Sequence, residues 1–73
     1  MKQRVCEIIN KIRIDKDLDP LEKIEDSDLL RDRIGFTSFD LATLTVLIED
    51  EFGVDIFEDG LVSSVGEIYS KLG

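Results

Sequence analysis

The stretch from Ser38 to Phe52 contains no glycine and no proline, and it constrains this chain more than any other segment. It reads as one uninterrupted helix. Gly53 follows as its natural stop, because glycine enters the left-handed conformation at a helix end without steric penalty. On a wheel of about 100° per residue, Leu41, Leu44, Ile48 and Phe52 gather on one side and must face a core. Phe39, Ala42 and Val46 lie opposite, joined by Thr43 and Asp50, with Glu49 at the edge. A surface helix ordinarily has one apolar stripe and a polar back. This one has two. Either it is buried on both sides, or its second face is a docking surface rimmed by acids.

The rest of the chain supplies a few partners for that helix. Val5, Ile8, Ile9 and Ile12 recur at i, i+3, i+4 and i+7, which predicts an amphipathic helix over residues 2–14. Residues 15–37 lack periodicity, hold the only proline (Pro20) and are dense in aspartate. They read as a long loop, with room for a turn of helix at residues 27–30. A loop of that length in a compact domain is uncommon and often functional. After an apolar connector at residues 54–57, a short helix is expected over 58–62, weakened by Gly60. Ser64 and Glu67 then match the capping-box spacing, and Val65, Ile68, Tyr69 and Leu72 repeat the helical pattern to the end. The expectation is an all-α, four-helix bundle of three main helices and one short one, forming a single domain over residues 1–73.

Charge divides the chain. Of its 17 acids and 9 bases, the bases before Ile34 nearly balance the acids there, whereas residues 34–70 carry Asp40, Glu49, Asp50, Glu51, Asp55, Glu58, Asp59 and Glu67 and no base at all. Such a half repels nucleic acid and anionic membrane and steers in partners with basic patches. The plainer reading is that the acids keep a small protein soluble. No apolar run approaches the ~18 residues of a membrane span, and the first ten residues lack a signal-peptide pattern. The single Cys6 excludes an internal disulfide, which points to a reducing, cytoplasmic location.

Catalytic machinery is scarce. With no histidine, a Ser-His-Asp arrangement and a Cys/His metal site are both excluded. Asp15, Asp17 and Asp19 open a pattern like a calcium-binding loop. However, Pro20 stands where that loop needs a glycine for its sharp turn, and Asp26 where it needs a bidentate glutamate. A solvated loop is the better reading.

The entry to the second helix remains. Within Gly35-Phe36-Thr37-Ser38-Phe39-Asp40, Thr37 or Ser38 can cap the helix and accept from its free N–H groups. A serine there is also exposed at the positive end of the helix dipole, where a phosphodiester on its oxygen is stabilised by backbone N–H groups.

The run IGFTSFDLATLTVLIEDEFGVDIF resembles the acyl carrier protein family, in which a Leu-Gly-x-Asp-Ser-Leu turn opens a helix that ends in an acidic cluster and Phe-Gly. Gly35, Ser38, Phe39, Glu49, Asp50, Glu51, Phe52, Gly53 and Ile56 stand in register with it. The tail VSSVGEIYSKL resembles the family's last helix. The resemblance implies that Ser38 accepts 4′-phosphopantetheine from coenzyme A through a phosphopantetheinyl transferase, and that the chain itself catalyses nothing. The arm's thiol would carry acyl groups as thioesters. The second helix would be the recognition helix, with Phe39, Ala42, Val46, Glu49 and Asp50 as partner contacts. Implied partners are an acyl-loading ligase or transferase and ketosynthase-type or acyltransferase enzymes with basic patches. The implied state is a cytoplasmic monomer.

Three positions depart from the pattern. Thr37 replaces the family's Asp, Phe39 is bulkier than the usual Leu, and Thr43 stands where an acid is common. They suggest a specialised carrier serving a dedicated pathway more than the housekeeping fatty-acid protein, while the family as a whole implies fatty-acid, polyketide or specialised lipid biosynthesis. A carrier of aminoacyl or other non-fatty cargo, and an unmodified acidic helical adaptor, are the alternatives.

Overall fold

The structure, a computed structural model, describes residues 1–73. Three helices form in chain order: α1 (Lys2–Asp15), α2 (Ser38–Phe52) and α3 (Val65–Leu72). α1 buries Val5, Ile8, Ile9 and Ile12, the stripe its spacing predicts. α2 buries Leu44 and Ile48 and packs Leu41 and Phe52 at the margin of the core. α3 contributes Val65, Ile68 and Tyr69. Burial of each isoleucine is worth about 2 kcal/mol relative to exposure, so these stripes carry most of the packing energy.

Five of the fourteen core side chains come from the connections: Leu30, Ile34, Phe36, Ile56 and Val62. The long segment over residues 16–37 is therefore part of the wall. Three polar side chains spaced three residues apart, two on α1 and one at its C-cap, hold it. The Asn10 amide pairs with the backbone of Leu21, accepting from its N–H at 2.8 Å and donating to its carbonyl at 3.1 Å. Arg13 Nε donates to the Asp19 carbonyl at 2.9 Å, and Arg13 Nη1 reaches the Ile34 carbonyl. Lys16 Nζ donates to the Gly35 carbonyl at 3.0 Å.

The far end of the same segment is stitched to the start of α3. Leu29 and Ser64 form an isolated antiparallel bridge, and Leu30 N donates to the Ser63 carbonyl at 2.9 Å. Gly66 N donates to the Asp26 carbonyl at 2.8 Å. A side chain at Gly66 would place its Cβ 3.0 Å from that oxygen, so the close approach requires glycine.

Two expected helical pieces are absent. Residues 27–30 hold a turn and the bridge, because their backbone groups pair with α3 instead of with each other. The short helix expected over 58–62 is replaced by turns at residues 56–59, leaving three helices in place of four. There the Asp55 carboxylate takes the Phe57 N–H at 2.9 Å, and Gly60 has φ +136°, outside any helix. The Ser64–Glu67 cap is also half of what its spacing predicts. Ser64 accepts from Glu67 N, while the Glu67 carboxylate turns to Ser63 N.

Candidate functional site

Leu30, Ile34 and Phe36 are all buried, and together they anchor the chain just before α2. The last turn between them closes with Ile34 N on the Leu29 carbonyl and Phe36 N on the Leu30 carbonyl, both at 2.9 Å. Gly35 at φ +88° lets the chain reverse there. Thr37, extended at φ −86°, ψ 176°, becomes the N-cap. Ser38 is then the first helical residue and is exposed, as is its neighbour Phe39.

The cap is a reciprocal capping box. Thr37 Oγ1 accepts from Asp40 N, and Asp40 Oδ2 accepts from Thr37 N at 2.8 Å and Thr37 Oγ1 at 3.0 Å. Lys16 Nζ adds a third donor to the same oxygen at 2.5 Å. Burial pushes the Asp40 carboxyl up, but the hydrogen bonds from Lys16 and Thr37 outweigh it and hold the group below the usual carboxylate range. This ion pair ties the end of α1 to the start of α2 and fixes the position of Ser38.

Ser38 has one polar neighbour of its own. Arg31 Nη2 donates to its Oγ at 2.5 Å. The pair lines a cavity of about 420 Å³ whose walls also include Leu41, Ala42, Thr45, Asp55, Phe57 and Leu61. An adjoining cavity of about 430 Å³ shares Arg31, Leu41, Phe57 and Leu61 and extends to Leu29, Leu30 and Val62. Together they make a mostly apolar groove leading from Ser38 between α2 and the 57–63 connection.

The other residues expected in the site also lie on α2. Phe39 is 79% exposed and Val46 59% exposed, which answers the two-sided pattern of this helix: its second apolar face is not buried. Ala42, Glu49 and Asp50 are exposed beside them. The Asp15–Asp19 stretch is engaged otherwise: Asp15 pairs with Lys11 at 3.1 Å, and Asp17 has the left-handed φ of 64°.

A short helical protein that exposes one serine at the tip of a capped helix, above an acid-rimmed apolar face, has the form of a modified carrier domain. The family model for the phosphopantetheine attachment site matches residues 3–70, and the chain belongs to that family. The family attaches 4′-phosphopantetheine covalently, and a phosphopantetheinyl transferase is thereby implied as a partner. No curated protein matches the chain significantly. The residues present suit the group: an exposed hydroxyl, a guanidinium against it, and the free N–H groups of a helix start. No helix is long and apolar enough to cross a membrane.

Sequence reasoning missed Arg31, Lys16 and the groove. The one available signal was that Arg31 and Arg33 are the last bases before the acid-only half of the chain.

Proposed function

We propose that the protein is an acyl carrier whose attachment residue is Ser38. The observation that carries this reading is the exposed Ser38 hydroxyl at the first position of α2, held by Arg31, in a chain of the phosphopantetheine attachment family. In loading, Ser38 Oγ bonds to the β-phosphorus of coenzyme A. The bond from that phosphorus to the oxygen bridging the α-phosphate breaks, 3′-phosphoadenosine 5′-phosphate leaves, and the hydroxyl proton passes to a base of the transferase. Ser38 needs no base of its own. Once bound, the arm supplies a terminal thiol that holds cargo as a thioester.

The chain's own residues position and present the arm. Thr37, Asp40 and Lys16 fix the helix start, so Ser38 stands at a constant height and direction. Leu41, Phe57 and Leu61 line the groove beside it, which supports acyl over aminoacyl cargo. Phe39, Ala42 and Val46 form the docking face, with Glu49 and Asp50 answering basic patches on a ligase, an acyltransferase or a ketosynthase-type enzyme. An apolar centre with a charged rim is the usual composition of such an interface. We place the protein in the cytoplasm as a monomeric single domain, serving a specialised lipid or polyketide pathway. Ser38→Ala tests the reading against an unmodified adaptor. A carrier loses all support of its pathway enzyme with this change; retention of that support identifies an adaptor.

A further inference from the structure

Arg31 is set apart from every other base in the chain. Seven of the nine lysines and arginines are ion-paired with carboxylates. Arg13 has no carboxylate partner and is bound to the carbonyls of Asp19 and Ile34. Arg31 alone forms its only side-chain hydrogen bond with a serine hydroxyl, Ser38 Oγ. It is also the one base lining either half of the groove. An arginine beside nearby acids ordinarily settles on a carboxylate, because an oppositely charged acceptor adds Coulomb attraction and can take two of its N–H groups at once. Asp32 adjoins Arg31 in the chain and Asp55 lines the same groove, yet neither takes it.

We propose that Arg31 is a positioning residue for the phosphodiester of the loaded chain, an inference that rests on Ser38 as the attachment residue. A guanidinium has five N–H donors in a planar fork matched to the oxygens of a phosphate. One donor already holds Ser38 Oγ, the oxygen that would become the ester oxygen of the phosphodiester, which leaves the remaining N–H groups of the fork to serve the other oxygens of that phosphate. The added negative charge would enter a half-chain that holds acids only, in a groove that Asp55 also lines, and Arg31 is the cation that offsets it. The N–H groups of Ser38 and Phe39, in the first turn of α2, have no partner within the helix and are further donors for a phosphate on Ser38. Thr37, the residue before Ser38, is a neutral N-cap and places no carboxylate beside the guanidinium. Anchored at its base, the arm leaves Ser38 in a limited set of directions, toward the groove that Arg31 also lines.

Phosphorus NMR of the loaded chain tests this. Wild type, Arg31→Lys and Arg31→Ala are loaded from coenzyme A by a broad-specificity transferase, and the site of loading is read by peptide mass. The expected result is a phosphodiester resonance in wild type displaced from that of R31A, the displacement shrinking as salt is added. R31K lies between them, since a lysine supplies the charge without the fork. The side-chain nitrogen resonances of Arg31 shift on loading while those of Arg13 do not. If all three variants load on Ser38 and give the same salt-independent phosphorus resonance, Arg31 has no such role and the Ser38 reading stands. If wild type takes no phosphopantetheine at Ser38, both fail together.

Discussion

The Lys16 ammonium stands 2.5 Å from the Asp40 carboxylate, joining the end of α1 to the first turn of α2 across 24 residues of sequence. Lys16 is partly buried and Asp40 almost fully so, so this pair is worth more than the exposed pairs around it. Asp40→Asn is expected to lower stability by about 2 kcal/mol, the scale of a hydrogen bond to a charged group, as read by urea unfolding. The same pair sets an acid limit. Because the folded carboxyl lies below its ordinary 3.8, its contribution is complete above about pH 4 and is lost as pH falls through the folded value. Lys16→Met should flatten that loss, and an unchanged acid profile in this variant contradicts the role given to the pair.

Thr37 caps the helix that presents Ser38. Thr37→Ala removes the oxygen that accepts from Asp40 N and should cost about 1 kcal/mol. Amide exchange provides the check: protection at Asp40 and Leu41 falls, while that of Ile48 follows the global change only.

The exposed face of α2 separates stability from docking. Replacing both Phe39 and Val46 by serine should move the unfolding free energy by no more than about 0.5 kcal/mol, as for surface positions generally. Turnover by a cognate partner enzyme should fall about tenfold or more, the scale of losing an apolar anchor at an interface centre. Glu49→Lys with Asp50→Lys should act on association rate and on its salt dependence instead.

Tyr69 is the only tyrosine, and the chain has no tryptophan, so its absorbance reports one group. Burial pushes the phenol well above its ordinary 10.0, helped by the hydrogen bond it shares with Cys6 Sγ at 3.5 Å and by nearby negative charge, including Asp26. The stabilising effect of the buried phenol is complete below about pH 10 and is lost as pH rises beyond it, since the unfolded phenol ionises first. An alkaline absorbance titration should show ionisation coinciding with unfolding, and a folded chain titrating near pH 10 contradicts this burial.

The helices could be read from the sequence because their causes are local. The stripe Val5, Ile8, Ile9, Ile12 predicts α1, and the bounds of α2 follow from Ser38 and Gly53. What could not be read depends on contacts distant in the chain. Nothing around Asp26 announces that its carbonyl will meet Gly66, and nothing around Leu21 announces Asn10. Phe36 and Phe39 look alike three residues apart, yet one is buried and the other exposed, because the helix begins between them. Arg31 meets Ser38 because Leu30, Ile34 and Phe36 are buried and the turn between them brings the two side chains together. The short helix expected over residues 58–62, which Gly60 already weakens, gives way to turns held by a side-chain bond from Asp55 to Phe57 N.

The most direct measurement is the mass of the folded chain after incubation with coenzyme A and a phosphopantetheinyl transferase. The account predicts one added phosphopantetheine per chain, mapped to Ser38 and absent from Ser38→Ala. A folded wild-type chain that gains no mass, or an S38A chain that gains the same increment, contradicts it.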